Sequence, residues 1–326
     1  MKRLAIIAGL VGLAGVAAIF FVPSHANGPL PTDNVVATAP EDGRETRLHA
    51  YGGPYERIVS MAPSITEVLF ALGLGDQVVG VTKYCDYPAE ALERETVGGF
   101  LDPNFEVILR LQADLVILLP VHGTTKIRIE ELGIQTLEAD HRTLDGILAS
   151  IEEIGETCGA GQAAAELLSG IEERTARIAR ATEGLSRPTV LLSSARDLGS
   201  GQVAQVFAAG KNQWYDDIIA MAGGSNAFTE EGIQFPALSP EGLIRLDPDV
   251  VMELAPDLER EGYTAGQLIA EWDALRVMQA VANRRVHVLS GGYVTIPGPR
   301  FMLIVEDLAR ILHPGIDLES HDSARD

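Results

Sequence analysis

The residues best suited to chemistry lie just beyond short apolar runs: Tyr84, His122, Arg196 and Tyr293, with Trp214 in a separate Gly-Lys-Asn-Gln loop. Aromatic faces with one imidazole and one guanidinium form an amphipathic set poor in charge. Such a set suits a bulky, partly apolar ligand better than a sugar phosphate or a bare cation. His122 has two readings: an axial ligand to a metal already held by a chelate, or a loop histidine that only hydrogen-bonds. A bare zinc ion would want three or four converging ligands, whereas His49, His122, His141, His287, His313 and His321 are scattered. An oxyanion held by backbone N–H groups stays open as an alternative. The chain has no GxSxG, GxxxxGK[ST] or HExxH pattern, and it reads as a binding protein rather than an enzyme.

A second set is a pair. Residues 100–119 (FLDPNFEVILRLQADLVILL) align without a gap on residues 235–254 (FPALSPEGLIRLDPDVVMEL). They match at Phe100/Phe235, Glu106/Glu241, Arg110/Arg245, Leu111/Leu246, Asp114/Asp249, Val116/Val251 and Leu119/Leu254. Asn104 and Ser239 are good helix N-caps and Pro240 suits a first helical position, so each glutamate falls in a first turn, at the positive end of a helix dipole. Two acids at equivalent places on two lobes form a pseudo-two-fold pair, matched to a two-fold partner that offers arginines. Phe100 and Phe235 precede them in loops, where an aromatic side chain can line a cleft.

The elements that must position these residues alternate. Strands are expected at 57–61, 77–81, 114–118 and 135–138, with helices at 64–72, 104–111 and 125–132 between them. The pattern restarts with a strand at 188–193, helices at 214–222 and from 240, strands at 250–253 and 286–289, and a last helix over 299–312. Such alternation with short Gly- and Pro-marked turns predicts an α/β fold, two lobes with mostly parallel sheets covered by helices on both faces. Between them, residues 160–184 are polar and rich in Ala, Glu and Arg, as one long interlobe helix would be.

The expected organisation is an N-terminal lobe over 54–159, the helix over 160–184, a C-terminal lobe over 185–315 and a polar tail over 316–326. Met1-Lys2-Arg3, an apolar run to Val22 and small residues at Ser24 and Ala26 describe a secretory signal over 1–26. If uncleaved, the run is close to the length that anchors a chain in a bilayer. A Pro- and Gly-marked leader follows over 27–53. Export to an oxidising compartment would allow Cys85 and Cys158 to pair, which their spacing leaves open. The formal charge of −21 argues against nucleic acid as a partner.

The stretches RIVSMAPSITEVLFALGLGDQVVGVTKYCDYP and VGGFLDPNFEVILRLQADLVILL closely resemble the class III periplasmic substrate-binding proteins of ABC importers, most of all their vitamin B12-binding branch. DDIIAMAGGSNAF, PALSPEGLIRLDPDVV and IPGPRFMLIVEDLARILHP agree in the second half, so the likeness spans about residues 55–315. The resemblance implies two Rossmann-like lobes joined by one helix, a monomer in the periplasm with no permanently bound cofactor. It also implies docking of Glu106 and Glu241 on an ABC permease dimer that carries its ATPase subunits. The ligand it implies is cobalamin or a related corrinoid, held by aromatics that match Tyr84, Phe100, Phe235 and Tyr293. Gly292 replaces an acidic residue of the B12 binders, leaving room for another metal chelate, haem or a ferric siderophore.

Overall fold

A computed structural model describes residues 55–318. The expected signal sequence, the leader and the end of the tail lie outside the described residues. In the first lobe the chain runs β1 (Ile58–Ser60), α1 (Pro63–Ala71), β2 (Val78–Val81), β3 (Glu95–Thr96), α2 (Phe105–Arg110), β4 (Leu115–Leu118), α3 (Gly123–Glu131), β5 (Gln135–Glu138) and α4 (Leu144–Thr157). Its sheet has the order β3-β2-β1-β4-β5, every pair parallel. Every residue of β1 and β4 is buried, as a strand covered by helices on both faces requires.

One helix, α5 (Gly161–Thr182), leads out of this lobe, and its 22 residues span about 33 Å at the usual rise. Its buried residues Ala164, Ile171 and Ile178 recur every seven positions as one stripe, with Ala163, Leu167 and Leu168 packed half-buried beside it. The second lobe runs β6 (Thr189–Arg196), β7 (Val206–Ala208), α6 (Trp214–Met221), β8 (Ser225–Asn226), β9 (Ala237–Leu238), α7 (Pro240–Leu246), β10 (Val250–Ala255), α8 (Ala265–Glu271), α9 (Gln279–Ala282), β11 (Val286–Ser290) and α10 (Phe301–Leu312). The stripe of α5 faces α4 on one side and α10 on the other, where Arg174 Nε donates to Glu306 Oε1 at 2.8 Å.

The second sheet has the order β11-β10-β6-β7-β9, with β8 also beside β6. Its β11, β10, β6 and β8 pairings are parallel, whereas β7 is antiparallel to both β6 and β9. That antiparallel arm was not expected from the sequence. β7 has three residues and β9 two, too few to show a period.

The paired segments occupy equivalent places. Asn104 and Ser239 both cap their helices, through bonds from Glu106 and Val107 N to Asn104 Oδ1 and from Gly242 N to Ser239 Oγ. Both helices then end in a non-glycine residue with positive φ at the same register, Gln112 (52°) and Asp247 (41°). Asp114 accepts from the backbone N–H of Glu56 and Arg57 at the start of β1. Asp249 does the same for Thr189 at the start of β6, at 2.7 Å. Each matched aspartate thus ties the lobe's central strand to its neighbour.

Buried in the first lobe, His141 lies between Ser64 Oγ, 2.8 Å from Nδ1, and Ser150 Oγ, 2.7 Å from Nε2. Ser150 gives its own proton to Ile147 O at 2.7 Å, so Nε2–H donates to Ser150 and Nδ1 accepts from Ser64. Burial pushes the imidazole down to about 4. The unfolded chain, with an ordinary histidine near 6.5, binds the extra proton first as pH falls. The stability this site contributes is therefore complete above about pH 6.5 and is lost towards pH 4. In urea unfolding, the wild-type protein should lose about 3 kcal/mol more than His141→Gln between pH 7 and pH 4. Parallel pH profiles for the two proteins would contradict the assignment.

Candidate functional site

The loops that leave the carboxyl ends of the strands set the site, as open α/β sheets dictate. After β2, Cys85 N bonds to Thr82 O and Lys83 N to Gly98 O, both at 3.0 Å. This tight turn holds Tyr84 at its tip, 44% exposed, with Lys83 Nζ 5.1 Å from the ring centroid. The loop into α2 turns at Gly98, where φ is 104° and a Cβ would stand 2.6 Å from Asp102 O. That turn points Phe100 inward and leaves Leu101 in solvent.

His122 clamps the same loop. Leu119 N donates to its Nδ1 at 3.0 Å, so Nε2 carries the proton and donates to Phe100 O at 2.9 Å. The Phe100 and His122 rings lie 4.5 Å apart, and burial lowers the imidazole's pKa. Of the two readings of His122, the structure shows the hydrogen-bonding one, and it also takes the side chain out of the ligand-facing surface. Both ring nitrogens are engaged and the residue is buried, because it serves to position the Phe100 loop.

In the second lobe Phe235 is placed by the antiparallel arm, through Ala208 N to Pro236 O at 3.0 Å and Gly210 N to Gln234 O at 2.7 Å. Gly210 permits this approach, since a Cβ there would fall 1.9 Å from Ile233 O. Phe235 is half-buried and packs on the same apolar cluster that contains Phe100, a cluster that runs through both lobes. Ile233 beside it is exposed.

The other expected residues lie elsewhere. Arg196 is no cleft residue. Its guanidinium is buried against Glu253 and Glu271, and Glu253 Oε2 also accepts from Trp272 Nε1 at 2.9 Å. The last residue of β6 carries it into the lobe's own core. Trp214 is also buried, stacked on Tyr215 at 3.9 Å, and its backbone N–H donates across the lobes to Arg142 O at 3.2 Å. Tyr293 turns its hydroxyl to Asp307 Oδ2 at 3.0 Å, beside a recess of about 310 Å³ that Ser290 and Arg310 also line. Cys85 and Cys158 are free, buried thiols, not a disulfide. Burial raises both, Cys158 to about 12, and Cys85 Sγ lies 3.2 Å from Thr82 Oγ1. Glu106 and Glu241 stand exposed in the first turns of α2 and α7. Bonds from its own backbone N–H and from Ser239 Oγ hold the Glu241 carboxyl below the usual range.

Sequence reasoning missed Leu101 and Ile233, whose signal was a large apolar residue in a loop without any period. It also missed Glu67 and Arg300. Glu67 is an isolated acid in the apolar run SITEVLFA of α1, and its carboxylate meets Arg300 at 2.6 Å across the lobes. Burial raises the Glu67 pKa, and the Arg300 hydrogen bonds oppose that. The Arg300 guanidinium also lies 3.5 Å above the Tyr87 ring.

Residues 58–291 match the model of the family described as periplasmic binding protein. The chain belongs to this family. Among similar proteins, the cobalamin-binding protein of Halobacterium salinarum is 32% identical over 265 residues, covering 78% of this chain and 68% of that one. The vitamin B12-binding protein of Vibrio parahaemolyticus is 30% identical over 252 residues, 76% of this chain and 86% of that one. The solved structure of the periplasmic heme-binding protein RhuT of Roseiflexus sp. RS-1, in apo form, is 30% identical with a TM-score of 0.67, over 81% of this chain and all of that one. Among the described residues no helix is long and apolar enough to cross a membrane, and no three His, Cys, Asp or Glu side chains converge to hold a metal ion.

If Arg196 belongs to the core of its lobe, Arg196→Ala leaves two buried carboxylates without their partner. It should cost about 3–5 kcal/mol in denaturant unfolding. A loss of about 0.5 kcal/mol or less, as for a surface residue, would return Arg196 to the cleft.

Proposed function

We propose that this periplasmic binding protein captures cobalamin or a related corrinoid between its two lobes and delivers it to an ABC permease. The observation that carries the reading is the placement of Tyr84 and Leu101 in one lobe, and Ile233 and Phe235 in the other. All four lie on loops at the site expected for ligands, and three are large apolar side chains left in solvent. Tyr84 offers an exposed ring with the Lys83 ammonium over one face, and Phe235 a half-buried ring. Stacking and apolar contact with a flat macrocycle supply the affinity, with no catalytic step. Phe100 and His122 work behind this surface by holding Leu101 outward. Tyr293 and Trp214 support the lobe that carries Phe235. The cobalamin- and vitamin B12-binding relatives support the corrinoid, and a macrocyclic metal chelate suits exposed apolar side chains with a cation, Lys83, beside them.

A signal over residues 1–26 exports the protein to the periplasm, where the ligand arrives. Glu106 and Glu241, one on each lobe, then meet basic residues of a two-fold permease. Exposed ion pairs are worth about 0–1 kcal/mol each, so docking is transient and salt-sensitive. ATP hydrolysis by the permease's partner subunits drives release. The likeness to the heme-binding protein of Roseiflexus supports haem as a second ligand class on the same surface.

Isothermal titration with cyanocobalamin, cobinamide, haemin and a ferric siderophore separates these readings. Corrinoids should bind with submicromolar affinity, as a stable nutrient-capture complex needs, and Tyr84→Ala should weaken that binding about tenfold without lowering thermal stability. Heat from haemin alone would move the ligand. A Tyr84→Ala protein that binds like wild type would remove this surface from the site.

A further inference from the structure

Ten large apolar side chains stand exposed among the described residues, and two of them occupy the same register position of the paired segments. Leu109 on α2 is 46% exposed and Ile244 on α7 is 38% exposed. Each comes three residues after its glutamate, Glu106 or Glu241, and so lies on the same helix face one turn further on. Core packing does not account for either, because the buried residues of these helices are Ile108 in one, and Gly242 and Leu243 in the other. Scattered exposed aliphatics need no explanation. A matched pair does, because the two lobes otherwise differ around these helices: α2 follows a short parallel strand and α7 an antiparallel arm.

The following residue extends the pattern. Arg110 and Arg245 match and are exposed, but Arg110 is ion-paired with Glu95, so its charge is largely offset. What each lobe presents is an acid at the start of a helix with an aliphatic side chain one turn below it, to which the second lobe adds the exposed Arg245. Within a chain of net charge −21, this face complements a basic surface with an apolar patch beside each cation.

We infer that Leu109 and Ile244 are the apolar anchors of the docking face, seated in apolar pockets beside the basic residues of a two-fold symmetric membrane permease. The inference rests on the docking role of Glu106 and Glu241 and deepens it. Ion pairs at a rim set orientation and association rate, whereas desolvated apolar side chains at the centre of a contact hold the complex. Paired anchors also explain how two such weak ion pairs could suffice for a productive encounter. A partner with two-fold symmetry meets both anchors with the same pocket, so the two contribute alike.

The test is binding of the ligand-free protein to its cognate transporter in lipid nanodiscs, measured by interferometry at 50 and 500 mM NaCl. Leu109→Ala and Ile244→Ala should each weaken binding about five- to tenfold at both salt concentrations, as loss of buried methyl groups does. Glu106→Ala and Glu241→Ala should weaken it at 50 mM and far less at 500 mM, where salt screens the pairs. Both aliphatic positions are exposed, and alanine is a better helix former than isoleucine, so the variants keep the fold. If the glutamate variants lose affinity while the aliphatic variants stay within twofold of wild type, the anchors are refuted and the docking role stands. If all four variants bind like wild type, the docking role falls and the anchors with it.

Discussion

Glu67 and Arg300 lie 233 positions apart in the sequence and meet in the interior between the lobes. That meeting ties α1 of the first lobe to the start of α10 in the second. Two charges withdrawn from water stay there only with close geometry and further partners. Here both guanidinium contacts fall on one carboxylate and the guanidinium covers the Tyr87 ring. Gly298 leaves the room: a Cβ there would sit 3.0 Å from Glu67 Oε2. A lobe that slid by a few ångströms would strand both charges, so the pair favours one relative placement far more sharply than apolar contact alone could. Arg142 O with Trp214 N, and Asp217 with Leu144 N, add hydrogen bonds to the same interface.

On that frame the two lobes are variations of one unit. The caps at Asn104 and Ser239, the left-handed residues Gln112 and Asp247, and the strand-tying Asp114 and Asp249 recur in one register. Each is a local solution to the same backbone problem: start a helix, stop it, and bind the next strand to the sheet's centre. Where the units diverge, function has room. Among the described residues the antiparallel arm of β7 and β9 belongs to the second lobe, and Ile233 and Phe235 lie in the segment that leads into β9, so the loops of the two lobes are unlike although α2 and α7 match.

Much of this was legible in the sequence. Alternating apolar runs and helical periods marked β1, β2, β4 and β5 of the first sheet and β6, β10 and β11 of the second, and the polar Ala-rich stretch marked α5 nearly to its ends. The paired segments announced the equivalence of the lobes, because Phe, Glu, Arg and Asp rarely match by chance in one register. The side-chain directions were not legible. Arg196 lies at the end of β6, where a ligand-facing residue belongs, yet its guanidinium turns to two glutamates that come 57 and 75 residues later. His122 has the type and place of a metal ligand, but its two nitrogens answer to one amide and one carbonyl. Phe100, expected to line the cleft, is buried and its neighbour Leu101 is exposed, because the turn at Gly98 decides which of two adjacent residues faces in. Short strands such as β9 have too few residues to reveal themselves at all.

The proposed ligand position is between the lobes, against Tyr84 on one side and the Ile233–Phe235 loop on the other. A crystal structure of the protein with cyanocobalamin tests it most directly. The corrin ring should lie between these two walls, with the Glu67–Arg300 pair intact beneath it. A ring bound instead in the recess beside Tyr293, Asp307 and Arg310, or on an outer face of either lobe, would contradict it.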